Sequence, residues 1–264
     1  MPAGGLKEGP GGAETARVTS FLAAAILGFA VVGALVGGRL LRLSQRTGGA
    51  PERVIGIGLL TYATFCQPTL LVAGAFGESL TPAAIQALHA WMSATAALTV
   101  TCLYVFTWIV FRRESGWGRV LLAAGVGLAV VSETASVLER SIFWSTLSSA
   151  NFVVAFVWAG AESLRYYVLL RRRARLGLAD PVVQNRFGVW GVCMSVAAVL
   201  SATVSVCIAA GLNVGEHPFP TAVALANTCL NAAGWSLTFF PPAWYLRAVR
   251  RRAALGAAPN EGAA

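Results

Sequence analysis

Residues 18–38 read VTSFLAAAILGFAVVGALVGG and pass directly into RLLRLSQR at 39–46. A helix needs about 20 apolar residues to cross a hydrocarbon core about 30 Å thick. This run has that length, and it ends on Arg39, Arg42 and Arg46. A cleaved export signal carries its basic residues before the apolar stretch. Here they follow it, and a neutral tail of about seventeen residues comes first, so 18–38 reads as a retained membrane helix.

Six more runs repeat the pattern, at 54–76, 83–111, 120–138, 142–170, 187–212 and 221–246. The third is longer than a span requires, and the fourth is the weakest. Lipid offers no partner to open backbone groups, so each run is expected to be helical. The expectation is an all-α integral membrane protein, a seven-transmembrane-helix bundle over 18–246. A short extracytoplasmic tail (1–17) precedes it, and a basic, then disordered, cytoplasmic tail (247–264) follows.

Composition agrees. The chain has 264 residues, 56% hydrophobic and 12% charged, with a mean hydropathy of +0.67. Soluble domains carry about 25% charged residues, so half the usual water-facing surface is missing. The net charge of +9 comes from arginine, with Lys7 as the single lysine. These arginines sit beside apolar runs, which points to membrane topology and away from nucleic acid.

Their placement sets orientation. Arg39, Arg42, Arg46 and Arg53 separate runs one and two; Arg112, Arg113 and Arg119 separate three and four. Arg165, Arg171, Arg172, Arg173, Arg175 and Arg186 surround the link from five to six, and Arg247, Arg250, Arg251 and Arg252 follow run seven. The other side keeps Lys7, Arg17 and Arg140. Cytoplasmic loops hold the excess of basic residues, so the N-terminus is expected outside and the C-terminus inside. The arginine-rich, GC-like spelling suggests a bacterial inner (plasma) membrane. Arg171, Arg172, Arg173 and Arg175 form a cytoplasmic anchor for anionic lipid heads or a docking surface for a signalling partner.

Ionisable groups within a bilayer point to function or to a specific partner. Glu133 lies about fourteen residues beyond Arg119, roughly 20 Å along a helix, in the outer third. Gln67 shares that depth. Asn231 lies slightly further out, with Asn227 on the same helical face. His89 and Asn151 fall near the outer edge. These six residues are the candidate ligand or proton site in the outer half. Glu162 lies deeper and is the seventh candidate, a second proton station if the chain is a transporter; Arg165, three residues on, can pair with it or reach the cytoplasmic interface. Each of these groups also has a plain reading as a hydrogen bond across helices, worth about 0.6 kcal/mol.

Other features have structural readings. Gly33 and Gly37 allow close helix contact, within the chain or in a homodimer. Trp117, Trp144, Trp190, Trp244 and Tyr245 are expected at membrane edges, and Trp158 and Trp235 deeper. Pro68, Pro241 and Pro242 should kink their helices. The five cysteines all lie in apolar runs and read as packing residues.

The inventory excludes several chemistries. A retinal Schiff base needs a lysine within a helix. Intramembrane aspartyl catalysis needs paired aspartates, and Asp180 is the single aspartate, in a loop. No GxSxG elbow is present. Two histidines, His89 and His217, are poor support for haem or zinc. No metal, cofactor or catalytic residue is expected. The reading is a non-enzymatic small-ligand sensor or accessory subunit acting through a partner, with a proton-coupled small secondary transporter as the alternative.

Overall fold

A computed structural model describes residues 10–76, 79–139, 141–174, 176–212, 214–215 and 217–257. Among them the chain is all-helical, apart from one isolated bridge between Val214 and His217. The helices are α1 (Pro10–Thr47), α2 (Ala50–Thr61), α3 (Gln67–Phe76), α4 (Pro82–Thr107), α5 (Gly116–Glu139), α6 (Ile142–Ala174), α7 (Pro181–Ala209), α8 (Pro218–Phe239) and α9 (Ala243–Ala257). A π-helical turn, Tyr62–Cys66, fuses α2 to α3, and a second, Trp108–Arg112, extends α4.

Six of these rods are long and apolar enough to cross a membrane, the layout of a multi-pass membrane protein. α5 is among them and is no less apolar than the helices on either side of it. α8 is not. Asn227 and Asn231 dilute its apolar content, and it stops at Phe239, not at 246 as expected. The exposed surface carries Phe21, Leu27, Val31, Val120, Val131, Val157, Val199 and Val206. An apolar exterior of this extent suits lipid and not water.

The rods pack in chain order into a closed ring: α1 on α2, α2 on α4, α4 on α5, α5 on α6, α6 on α7, α7 on α8, and α8 back on α1. Short links make neighbours antiparallel, so the arginine-bearing termini gather at one end, called here the basic end. Aromatic rings fill the centre. Phe29 lies 4.6 Å from Trp235, and Tyr104 lies 5.7 Å from Trp158. Trp190 is buried among them, against Phe106 and Phe239, and is not the edge residue expected from its position.

Small residues set the helix contacts, as membrane packing requires. A side chain at Gly160 would strike Ser195 and the Gly191 carbonyl of α7, and one at Gly125 would strike the Tyr104 ring. Gly33 and Gly37 face Ala63, Leu60 and the Gly56 carbonyl. α2 of the same chain, with the π turn that follows it, therefore covers the face offered above to a second copy.

Pro68 acts through the π turn. With no N–H to donate, it leaves a carbonyl one turn earlier unbonded. The helix absorbs this with a wider turn, in which the Gln67 N–H reaches the Tyr62 carbonyl. Pro241 and Pro242 break the rod outright at Phe240, whose ring lies 4.6 Å beneath the Arg39 guanidinium. The chain then restarts as α9. Residues 247–257 are thus helical, against the expected tail, and 258–264 lie outside the described residues. α9 turns Tyr245, Leu246 and Val249 inward and leaves Trp244, Arg247, Arg250 and Arg251 exposed. Tyr245 accepts a 2.7 Å hydrogen bond from Asn185 of α7. At the other terminus α1 already begins at Pro10, inside the expected tail, and residues 1–9 lie outside the described set.

Candidate functional site

Glu133 sits on α5, well beyond the basic end, and is buried. Its carboxylate accepts a 2.5 Å hydrogen bond from Ser148 of α6, and Ser93 of α4 lines the same pocket. It forms one wall of an open cavity of about 490 Å³ between α4, α5 and α6. α4 contributes His89, Met92 and Ser93; α5 adds Ser136 and Val137; α6 adds Ser145, Ser148, Ser149 and Phe152. Ser141 and Ile142, at the α5–α6 link, mark one end of it. Such volumes fall within the range of small-molecule sites, about 300–1,000 Å³.

A second, smaller cavity of about 30 Å³ lies on the ring axis. That is room for about one water. Tyr62, Phe156, Trp190, Met194 and Trp235 surround it, with Asn227 and Asn231 as its amide groups. Asn231 donates to both the backbone and side-chain oxygens of Asn227, and Asn227 donates to Ser201 of α7. Phe152 lines both cavities and separates them.

The six residues expected to converge therefore divide. Glu133 and His89 share the open cavity, and Asn227 and Asn231 face the axial one. Asn151 reaches neither. It is 3% exposed and clamps three helices, accepting from the Tyr104 hydroxyl at 2.9 Å and donating to the Gly125 carbonyl at 3.0 Å. Gln67 lies at the end of the π turn, where its backbone N–H bonds the Tyr62 carbonyl, and lines neither cavity. Depth along a helix carries no rotational information, and rotation decides which cavity each one meets.

Glu162 is a correction of partner. It accepts a 2.7 Å hydrogen bond from Arg112 Nε, in an ion pair joining the π turn after α4 to α6. Arg165 is exposed and turned away. The Arg112 guanidinium also stacks 4.7 Å from the Trp117 ring. The long third run carries Arg112 to this depth, and a search limited to neighbours on the same helix overlooks it. Arg171, Arg172 and Arg173 are exposed on the last turn of α6, and Arg175 lies outside the described residues.

Sequence reading passed over the serines. Ser141, Ser145, Ser148 and Ser149 recur at helical spacing in an apolar run, a polar stripe on one face of α6. That stripe, set beside Glu133, is the signal that points to the cavity. His217 lies in the α7–α8 link, apart from this site. Among the described residues no three His, Cys, Asp or Glu side chains come together as a metal site.

No protein-family model, curated protein or solved structure matches the chain. The fold and these two cavities define its class, a multi-pass helical membrane protein with a carboxylate-bearing cavity, and that class is as far as likeness reaches.

Proposed function

We propose that the chain is a seven-span sensor or accessory subunit of a bacterial inner membrane. In this reading the N-terminus is outside, and the cavity around Glu133 takes a small, partly apolar ligand from the outer side. The single observation behind it is that cavity: a buried carboxylate among serines, in an open pocket that reaches the α5–α6 link. The arginine asymmetry orients that link outward. α8 serves as the seventh span, because it completes the ring between α7 and α1. Ligand contact with α4, α5 and α6 would shift these helices against one another. The basic end, with Arg171, Arg172 and Arg173, would hand that shift to a cytoplasmic or membrane partner. No catalytic step is assigned.

The test is native mass spectrometry of the protein released from its own membrane in mild detergent. A stoichiometric partner protein supports the reading. Glu133→Gln should keep the partner and lose the ligand response, and a full response would remove Glu133 from the mechanism. A chain that emerges alone and drives substrate uptake in vesicles under a pH gradient would overturn it.

That outcome belongs to a second reading, the proton-coupled secondary transporter. One observation favours it: the two cavities abut across Phe152, which outlines a path toward the axis. Against it, Glu162 is held by Arg112, which removes the second proton station the transporter reading requires.

A further inference from the structure

We infer that the ligand of the Glu133 cavity is a small organic cation, an ammonium ion carrying an apolar group. This rests on the reading of that cavity as a ligand site and adds the ligand's chemical class.

Charge is the first ground. Among the described residues lining the cavity, Glu133 is the one carboxylate, and neither arginine nor lysine stands with it. His89 and Cys66 are the other titratable groups on the walls. Arg112 is committed to Glu162 at the basic end, and Arg140, next to Ser141 in the chain, lies outside the described residues. A buried carboxylate is stabilised by an opposite charge, and here the protein supplies no arginine or lysine from the described walls. A ligand cation would supply it.

Hydrogen-bonding capacity is the second. An ionised carboxylate offers about four lone-pair sites, and Ser148 occupies one of them. Ammonium N–H groups can take the others. Ser145 and Ser149 bring further hydroxyl oxygens able to accept from the same N–H groups. An anionic ligand would meet Glu133 with like charge.

The third ground is the apolar side of the cavity. Phe152 and Met92 line the wall with the carboxylate. An aromatic face attracts a cation within about 6 Å of its centre, and a thioether packs against flexible or ring-bearing groups. One carboxylate, several hydroxyls and one aromatic ring match an amine with an aryl or alkyl body. A metal ion would want about three ligands from His, Cys, Asp or Glu, and the described walls do not gather them.

The experiment uses the full chain in lipid nanodiscs, with Ile142→Cys as a reporter, since Ile142 is exposed on the cavity wall. The rate at which a membrane-impermeant reagent alkylates the reporter thiol is read by mass spectrometry. Three probes of nearly one shape are compared: 2-phenylethylammonium, 2-phenylethanol and phenylacetate. The ammonium ion is expected to slow alkylation at a concentration at least roughly tenfold below the alcohol, and phenylacetate to have no effect. Glu133→Gln should erase that preference, and Glu133→Asp, which keeps the charge, should retain it. Thermal unfolding of both variants checks that the bundle is intact.

Equal protection by alcohol and ammonium, or a preference that survives Glu133→Gln, overturns the cation assignment and leaves the ligand cavity standing. Absence of protection by the ammonium ion, with the reporter thiol freely reactive, also overturns it. A reporter thiol that the reagent cannot reach overturns the outward-open cavity itself, and with it the reading of the site.

Discussion

Removing the charge from Glu162 would strand Arg112. The pair bridges the end of α4 and the middle of α6 at 2.7 Å, with Glu162 7% exposed. Losing a charge-assisted bond costs about 1.5–3 kcal/mol, and a buried partner left alone costs more. Glu162→Gln should therefore lower stability by about 2 kcal/mol, read by thermal or denaturant unfolding in detergent micelles. Arg112→Gln should do the same, and the double variant should lose less than the two single losses together. Additive losses would mean that the ion pair contributes nothing as a pair. Glu133 differs at this scale. Its hydrogen-bond partner is the Ser148 hydroxyl, and its walls form an open cavity. The same residue type at two depths thus does two jobs, and the difference lies in the partner. A single sequence places both carboxylates by depth, but the Arg112 partnership depends on how far α4 extends and how α6 is rotated.

Helix interfaces carry the next level of argument. At Gly160 the backbones of α6 and α7 approach so closely that a side chain would meet Ser195 and the Gly191 carbonyl. Gly127 faces open space. Gly160→Val should cost about 1–3 kcal/mol by overpacking, and Gly127→Val should cost far less. Unfolding midpoints of the two variants, side by side, check this. Equal losses would show that helix propensity and not packing governs both. The helices themselves were legible because apolar length is a strong signal. Their ends and interruptions were harder. The π turn at Tyr62–Cys66 arises where Pro68 interrupts the hydrogen bonds of a rod packed on α1 and α4, and hydropathy does not register it. The break at Phe240 was visible in Pro241 and Pro242, but the apolar run beyond them concealed the restart as α9.

At the scale of the whole molecule, the number of spans turns on α8. Six rods qualify as spans on length and apolar content alone, and α8 is not among them; Asn227 and Asn231, which lower its apolar content, face inward to the axial cavity. Those amides bond one another and Ser201 instead of lipid, so they weigh against insertion in a composition average and little in the folded bundle. The ring also needs α8: without it α1 and α7 would expose the faces that now pack on it. A seventh span separates the α7–α8 link from α9 by a membrane; a surface-lying α8 would leave both on one side. In a background with the five native cysteines replaced, Leu212→Cys and Ala248→Cys each provide one labelling site. In intact cells an impermeant maleimide should modify the first and spare the second, and in inverted vesicles the order should reverse. Labelling of both from the same side would reduce the span count to six, place the two termini together, and turn the arginine asymmetry into a feature needing a cause other than orientation.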